Sequence, residues 1–241
     1  MIKIINLYKS FHKPVLAGVN LEVYDGETIT IIGGSGQGKS VLLKNIIGLI
    51  KPDSGKILVD GEDITSVDEK KLSQLQKKFG YLFQSSALFD SLTVFENVVF
   101  GLRHSGLSEK ELREQAKLYL SYVGLKDVEN MMPSELSGGM KKRVALARTI
   151  AYNPQYILYD EPTTGLDPQM SEVITDLIIS MQKRLKVTSI VVTHDIKYAM
   201  KVSQRIAMLY HGKIVDVVEA SKLLSSTNPI IKNFVEGKLQ L

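Results

Sequence analysis

The residues with the clearest chemical potential form the segment Gly33 to Ser40, whose sequence is GGSGQGKS. The segment fits the phosphate-loop pattern G-x-x-x-x-G-K-[ST] at every specified position. Its four glycines let successive backbone N–H groups converge on one anion. The Lys39 ammonium can reach phosphate oxygens, and the Ser40 hydroxyl can bind Mg²⁺. The segment therefore predicts a site for the phosphates of a nucleotide.

A second candidate group follows the apolar segment Tyr156 to Tyr159, which predicts a short buried strand ending in Asp160 and Glu161. Successive residues at a strand end point to opposite sides, so the two carboxylates can act separately. Asp160 is placed to bind Mg²⁺ beside the phosphate loop, and Glu161 to act on an attacking water. The alternative is an exposed acidic turn before Pro162.

Two further polar residues, Gln84 and His194, also follow apolar segments that predict strands. Ligands of open α/β sheets bind at the carboxyl ends of the strands. The Gln84 amide can orient the attacking water and touch Mg²⁺, and His194 can hydrogen-bond the γ-phosphate. Each alone is more often structural, but together with the loop and the two acids they favour a catalytic site.

Two other features are open to either interpretation. Phe11 lies roughly twenty residues before the phosphate loop. It is either a core residue or a platform on which adenine stacks. Ser137-Gly138-Gly139 begins a predicted helix. Its N-terminus either binds an anion or is that of an ordinary capped helix. On its own, the second pattern favours the ordinary helix. That helix carries Lys141, Lys142, Arg143 and Arg148.

The elements that must position these residues alternate between strands and helices. This alternation predicts an α/β core over residues 1–84 and 153–220, with a mainly parallel sheet and the phosphate loop at its carboxyl edge. An Asp60-Gly61 hairpin signal marks an antiparallel β part near the N-terminus. Residues 85–152 predict an inserted helical subdomain, and residues 221–241 a helical tail.

Helical periodicity and start signals locate the individual helices. The pattern predicts a short helix over 73–78 and three longer ones over 94–102, 108–123 and 137–152. Side chains that can accept backbone hydrogen bonds precede four predicted helices. These predicted caps are Thr93, Ser108, Ser137 and Asn228.

Composition limits the class of protein. The 241 residues, 44% of them apolar, can build a sizeable core as one large domain or two small ones. A run of 18 apolar residues, which a membrane span needs, does not occur, and the first residues lack the apolar core of a signal peptide. Zero cysteines exclude disulfides and thiolate metal sites. The net charge of +4 is mild, and no nucleic-acid partner is expected.

The order of these motifs resembles that of ABC transporter ATPase domains, and the match covers almost the whole chain. The resemblance rests on the phosphate loop, Gln84, Leu136 to Gly139, Asp160 to Asp167 and His194. It implies the P-loop NTPase fold of the RecA-like class as a single ATPase domain, with ATP and Mg²⁺ as cofactors. The implied ATP-binding residues of the loop are Gly33, Gly34, Ser35, Gly36, Gln37, Gly38, Lys39, Ser40 and Val41.

The same resemblance implies a head-to-tail homodimer with two ATP molecules between the subunits. Ser137, Gly138 and Gly139 of one chain would cap the γ-phosphate held by the other, and Asp167 would link the two sites. Phe11 would carry the adenine. Implied catalytic residues are Lys39, Gln84, Glu161 as general base and His194, and implied metal ligands are Ser40, Gln84 and Asp160. The segment from Gln84 through the helical insertion would contact membrane permease subunits.

Two departures from the family pattern narrow the resemblance. Met140 stands where glutamine is common, and Val41 stands where threonine is common. With the segment Ala87 to Val94, they are similar to the MlaF-like, Mla/Mce-associated branch. That branch supplies ATPases for phospholipid transport, with Mce-domain and accessory partners, at the cytoplasmic face of the bacterial inner membrane.

Alternatives remain beside that hypothesis. Among ABC transporter ATPases, the alternative hypothesis is the ATPase of an amino-acid or other small-solute importer. Three alternatives come from other functional classes: a soluble ABC ATPase acting on a macromolecular complex, a nucleotide-gated binding module without turnover, and a P-loop kinase. The ATPase domain does not touch the cargo, so its sequence is poor guidance to the substrate.

Overall fold

The computed structural model describes residues 1–238 as a chain of strands and helices around two sheets. Ten strands and eight α-helices occur in this part of the chain. In chain order these are β1 (Ile2–Ser10), β2 (Pro14–Val23), β3 (Thr28–Ile32), α1 (Lys39–Ile46), β4 (Ser54–Val59), β5 (Glu62–Asp63), α2 (Glu69–Gln76), β6 (Phe79–Leu82), α3 (Val94–Val99), α4 (Glu109–Tyr122), α5 (Gly138–Ile150), β7 (Tyr156–Asp160), α6 (Pro168–Leu185), β8 (Thr188–Thr193), α7 (Ile196–Val202), β9 (Arg205–Tyr210), β10 (Lys213–Glu219) and α8 (Pro229–Val235).

A six-stranded sheet in the order β10-β9-β3-β8-β7-β6 forms the centre of the molecule. Its strands run parallel except β10, which pairs antiparallel with β9. Every residue of β3, β7 and β8 is buried, as expected for a parallel sheet covered on both faces. The carboxyl ends of β3, β6, β7 and β8 meet at one edge. The predicted mainly parallel α/β fold is confirmed.

The second sheet is antiparallel, in the order β2-β1-β4-β5, which confirms the predicted N-terminal antiparallel part. Its inward side chains share a hydrophobic core with α1 and with one face of the parallel sheet. Ile4, Leu42 and Leu158 are among the buried members of that core. The antiparallel sheet therefore covers the face of the parallel sheet that carries α1.

Helices α3, α4 and α5 are inserted between β6 and β7 and share a second core with the opposite sheet face. Leu120 and Val144 are buried there beside Ile157 and Tyr159 of β7. Because side chains alternate along a strand, β7 contributes Leu158 to one core and its neighbours to the other. The helical insertion is thus joined to the strand that ends in Asp160.

Two helices differ from the sequence prediction by more than two residues at one end. The predicted helix over 73–78 begins earlier, at Glu69, because the Asp68 side chain accepts a hydrogen bond from the Lys71 amide at 2.7 Å and caps it there. The predicted helix over 94–102 is α-helical only to Val99 and ends in a 3₁₀ turn. A tighter last turn is a common way for a helix to end. The four predicted caps, Thr93, Ser108, Ser137 and Asn228, each accept a backbone N–H.

The tail predicted over 221–241 contains a 3₁₀ helix, Ala220–Ser225, and α8. Ile231 of α8 is buried in a small core with Ile206 and Met208 of β9. Residues 239–241 lie outside the described part of the chain. No helix within residues 1–238 has the length and apolar character needed to cross a membrane.

Candidate functional site

The phosphate loop connects β3 to α1 and depends on glycine where the backbone is crowded. Gly38 adopts a left-handed φ of 97° immediately before α1, a conformation that L side chains rarely adopt. A Cβ on Gly38 would lie 2.8 Å from the Val15 Cγ1 atom, and one on Gly33 would lie 2.4 Å from the Leu209 carbonyl oxygen. The loop can curl in this way only with glycine at these two positions.

Lys39 is the buried cation of the site. Its Nζ donates to the carbonyl oxygens of Gly33 at 2.9 Å and Gly34 at 3.0 Å. It also lies 3.5 Å from the Glu161 Oε1 atom. Burial lowers the pKa of Lys39, while the Glu161 carboxylate acts in the opposite direction. A buried ammonium that is only partly compensated is well suited to bind phosphate oxygens.

Ser40 and Asp160 meet directly beneath the loop. The Ser40 hydroxyl donates to the Asp160 Oδ1 atom at 2.7 Å, and the Tyr81 hydroxyl donates to Oδ2 at 2.9 Å. Burial and the neighbouring carboxylate raise the pKa of Tyr81 well above its usual range, so its hydroxyl keeps its proton. Tyr81 therefore fixes the direction in which the Asp160 carboxylate presents its oxygens.

Glu161 lies one residue further, on the other side of the strand end. It is only 8% exposed, and its backbone takes a left-handed φ of 46°, which is strained for a residue with a side chain. The Glu161 Oε2 atom lies 3.0 Å from the His194 Nδ1 atom and accepts from the Thr164 hydroxyl at 3.1 Å. This arrangement leaves the carboxylate desolvated, oriented and adjacent to Lys39.

One cavity of about 480 Å³ gathers most of the predicted site residues. Phe11 stands at its rim with 58% of its surface exposed, and the Lys9 ammonium lies 5.5 Å from the centre of its ring. The interpretation of Phe11 as a core residue is therefore wrong. The predicted residues that line the cavity are Phe11, Ser35, Gly36, Gly38, Lys39, Ser40, Val41, Gln84, Glu161 and His194.

Other predicted residues lie outside that cavity lining in the single chain. The Gln37 Oε1 atom accepts from the His211 amide at 2.8 Å, so this side chain holds the β9–β10 turn. Ser137 caps α5, with Gly138 and Gly139 in its first turn. Asp167 caps α6, where its Oδ1 atom accepts from the Met170 amide at 2.8 Å. Gly33 and Gly34 contribute carbonyl oxygens to Lys39.

Sequence analysis did not identify three residues that hold the site: Tyr81, Thr164 and Val15. Tyr81 and Val15 lie within apolar strand patterns, where a tyrosine or a valine has no distinguishing spacing. Thr164 lies three residues after Glu161, beyond the end of a strand that closes with an acid. This position is the one sequence signal that could have marked Thr164 as a site residue. Tertiary placement alone brings Tyr81 to Asp160, since β6 and β7 are neighbours in the sheet.

The donor set beneath the loop fits Mg²⁺. This ion prefers oxygen ligands and is usually held by one or two carboxylates together with substrate phosphates. The Ser40 hydroxyl and the Asp160 carboxylate are in contact, and Gln84 lines the same cavity. Over residues 1–238, no group of three or more His, Cys, Asp or Glu side chains forms a cage for a metal ion. The site therefore suits a cation that arrives with phosphate.

Comparison with known proteins identifies the same architecture. The family model of the ABC transporter matches residues 16–164. The chain is 43% identical to the Arabidopsis thaliana protein TRIGALACTOSYLDIACYLGLYCEROL 3, over 99% of this chain and 74% of that protein. It is 39% identical to the Haemophilus influenzae intermembrane phospholipid transport system ATP-binding protein MlaF, over 99% of this chain and 91% of that protein.

Similarity extends to an amino-acid importer and to a solved dimer. The methionine import ATP-binding protein MetN of Carboxydothermus hydrogenoformans is 41% identical over 90% of this chain and 65% of its own length. A dimeric ATP-binding cassette in a post-hydrolysis state, bound to ADP and phosphate, superposes with a TM-score of 0.83 at 34% identity. That match covers 91% of this chain and 99% of the cassette.

Proposed function

This chain belongs to the ABC transporter family as an ATP-hydrolysing subunit, and from that premise we propose that it energises transport of phospholipid across or between envelope membranes. The observation that best supports ATP hydrolysis at this site is the buried Glu161 carboxylate, which is hydrogen-bonded to His194 and lies 3.5 Å from the Lys39 ammonium. Two relatives that match over 99% of this chain support the choice of cargo, since one is named for phospholipid transport and the other for a diacylglycerol lipid.

On this proposal, the residues on the two sides of the β7 end have separate tasks. Lys39 and the loop amides neutralise the phosphates of ATP, while Ser40, Asp160 and Gln84 are the residues that would hold Mg²⁺. The ion, when bound, supplies charge stabilisation at the phosphate oxygens. Glu161 accepts a proton from the attacking water as general base, and His194 holds the Glu161 carboxylate in place and contacts the γ-phosphate.

ATP hydrolysis on this proposal takes place between two copies of the chain, arranged head to tail. Ser137, Gly138 and Gly139 lie outside the cavity that contains the phosphate loop, so within one chain they do not enclose a nucleotide bound there. The N-terminus of α5 provides backbone N–H groups and a partial positive charge suited to a γ-phosphate. The similar dimeric cassette with ADP and phosphate bound supports this pairing.

The proposed permease contact lies in an apolar groove between the phosphate-loop side and the helical insertion. Three exposed apolar side chains, Leu49 (54%), Phe89 (43%) and Phe100 (48%), border it. The rings of Phe89 and Phe100 lie 4.5 Å apart, and Phe83 forms part of the floor. A short amphipathic helix from a membrane subunit would cover these side chains. The chain would then act as a peripheral subunit at the cytoplasmic face of a bacterial inner membrane.

A second candidate is the ATPase of an amino-acid importer, favoured by the 41% identity to the methionine import protein. The ATPase subunit does not contact the cargo, so both candidates predict the same site chemistry. They differ in the membrane subunits, in Mce-domain or other accessory partners, and in bound lipid.

The test is to recover the Glu161→Gln chain from native membranes with ATP present and to identify the proteins and lipids that accompany it. A matched chain that also carries Phe100→Asp should lose the membrane partner through the groove. A permease with an Mce-domain protein and enriched phospholipid would support lipid transport. A permease with a solute-binding protein and no enriched lipid would favour the importer. Recovery of ribosomes, or of no membrane partner, would overturn both.

A further inference from the structure

Lys142 on α5 is a buried cation outside the cavity that contains the phosphate loop. It is 3% exposed, yet its Nζ reaches the segment after β6, where it lies 2.6 Å from the Gln84 carbonyl oxygen and 3.5 Å from that of Phe83. Burial lowers the pKa of Lys142 to about 8, although the Asp160 charge acts to raise it. Burying an ammonium is costly unless it is compensated, so these two carbonyls are its essential partners.

The two carbonyls have a special relation to the Gln84 side chain. The Phe83 carbonyl belongs to the peptide plane before the Gln84 Cα atom, and the Gln84 carbonyl belongs to the plane after it. Because peptide planes are rigid, holding both planes sets the direction of the Cα–Cβ bond from which the Gln84 side chain extends. That side chain lines the cavity together with Lys39 and Glu161.

A second cation on the same helix holds the next part of the segment. The Arg148 guanidinium donates to the carbonyl oxygens of Ser86 at 2.8 Å and Ala87 at 2.7 Å. Both of these residues have left-handed backbones, with φ of 66° and 45°. Such conformations persist in non-glycine residues when surrounding contacts over-determine them. Helix α5 therefore holds four carbonyls of residues 83–87 through two side chains.

We infer that Lys142 is a positioning residue for ATP hydrolysis: from the helix that begins at Ser137-Gly138-Gly139, it fixes the backbone on both sides of Gln84. The inference rests on the proposed role of Gln84 in orienting water and contacting Mg²⁺. Displacement of α5 relative to the parallel sheet would move the Lys142 ammonium and thereby redirect the Gln84 amide. Lys142 itself touches neither nucleotide nor water at the reacting atoms.

The first test compares Lys142→Met with Lys117→Met, a lysine on the exposed face of α4. Methionine keeps the buried stem of Lys142 and removes the ammonium. We expect kcat for ATP hydrolysis to fall about tenfold or more, since displacements of about 1 Å can cost ~10²-fold. The affinity for a fluorescent ATP analogue should stay within about twofold, and Lys117→Met should behave as wild type. A lost fold would instead abolish nucleotide binding as well.

The second test introduces Lys142→Met into a Gln84→Ala chain. If Lys142 acts through Gln84, the double variant hydrolyses ATP as slowly as Gln84→Ala alone, because a double-mutant cycle reports coupling. Additive losses of kcat would overturn the inference while leaving the role of Gln84 intact. An unchanged rate in Gln84→Ala would overturn the role of Gln84 itself.

A conservative variant separates positioning from packing. Lys142→Arg keeps a cation that can donate to both carbonyls, and it should recover a large part of the kcat lost in Lys142→Met. Hydrogen exchange gives an independent readout: amides of the segment after β6 should exchange faster in Lys142→Met, with α4 unchanged. Unchanged exchange in that segment together with full activity would overturn the inference.

Discussion

At the scale of single residues, the site combines a strained backbone at Glu161 with several polar contacts to its carboxylate. Glu161 has a left-handed backbone and is buried, and its carboxylate still has His194, Thr164 and Lys39 as neighbours. Strained residues of this kind cluster at active sites, where the surrounding structure holds them in place. The contacts with His194, Thr164 and Lys39 hold the Glu161 carboxylate in one orientation.

The Glu161→Gln substitution should therefore separate binding from turnover. Glutamine has the same shape but cannot accept a proton from the attacking water, so we expect hydrolysis to fall by about 10² to 10⁴-fold. ATP binding should persist, measured as ATP retained on the protein after gel filtration. Glu109→Gln on the exposed start of α4 is the matched control. Turnover at the wild-type rate would rule out Glu161 as the general base.

Tyr81 supplies a second prediction at the residue scale. The Tyr81→Phe substitution removes the donor to the Asp160 Oδ2 atom and leaves the ring in the strand. Residues that orient a metal ligand typically contribute 10 to 100-fold in metal affinity, so half-maximal ATPase activity should need about tenfold more Mg²⁺. The exposed Tyr8 provides the control variant Tyr8→Phe. An unchanged Mg²⁺ dependence would show that Asp160 does not need this hydrogen bond.

At the scale of secondary-structure elements, Asp60 connects the two sheets. It follows β4 of the antiparallel sheet, and its carboxylate accepts from Lys78, just before β6, at 2.6 Å and from the Tyr156 hydroxyl of β7. Burial alone raises the pKa of Asp60, but the hydrogen bonds from Lys78 and Tyr156 outweigh it, and the pKa falls from 3.8 to about 2. The ionised form therefore favours the folded state.

Asp60→Asn should remove that contribution in a pH-dependent way. A carboxylate whose folded pKa is depressed stabilises the fold above its unfolded pKa of 3.8 and loses this effect as the pH falls toward about 2. Urea unfolding of wild type and variant at about pH 7, 5, 4 and 3 measures the difference. The gap in free energy should be present at neutral pH, modest because the group is partly hydrated, and should shrink below about pH 4. A gap that is constant with pH would contradict this assignment, and Asp90→Asn is the exposed control.

Elements are also the scale at which sequence and structure agree most closely. Gln84, Glu161 and His194 each follow an apolar strand, and parallel strands bring their carboxyl ends to one edge, so their meeting could be predicted. Lys142 could not be connected to Gln84 from the sequence. Its contact depends on where α5 packs against the segment after β6, and a lysine on a helix is ordinarily solvated. The contact between Lys142 and Gln84 depends on the order of the strands and on the side from which α5 packs, and neither can be read from the sequence.

At the scale of the whole molecule, the proposed head-to-tail dimer needs two separate parts of each chain, the phosphate loop and the start of α5. Ser137→Arg changes the half at α5, outside the cavity that holds the phosphate loop. We expect ATP binding to remain near wild type and hydrolysis to be lost, because the bulky cation would block the α5 surface that, in the proposed dimer, faces the partner's nucleotide. Equilibrium binding and steady-state turnover measure the two effects. Ser121→Arg, on the surface of α4, is the control, and normal hydrolysis by Ser137→Arg would contradict trans-capping.

The separation of the loop from the start of α5 has a genetic consequence. In the proposed head-to-tail dimer, a mixed pair of Lys39→Ala and Ser137→Arg chains has one site with both lesions. Its other site combines the intact loop of one chain with the intact α5 start of the other. Two alleles that each fail alone should then complement within one cell. By the same geometry each allele should be recessive to wild type, since a pair of one altered and one wild-type chain keeps one intact site and random pairing leaves only roughly a quarter of dimers without one.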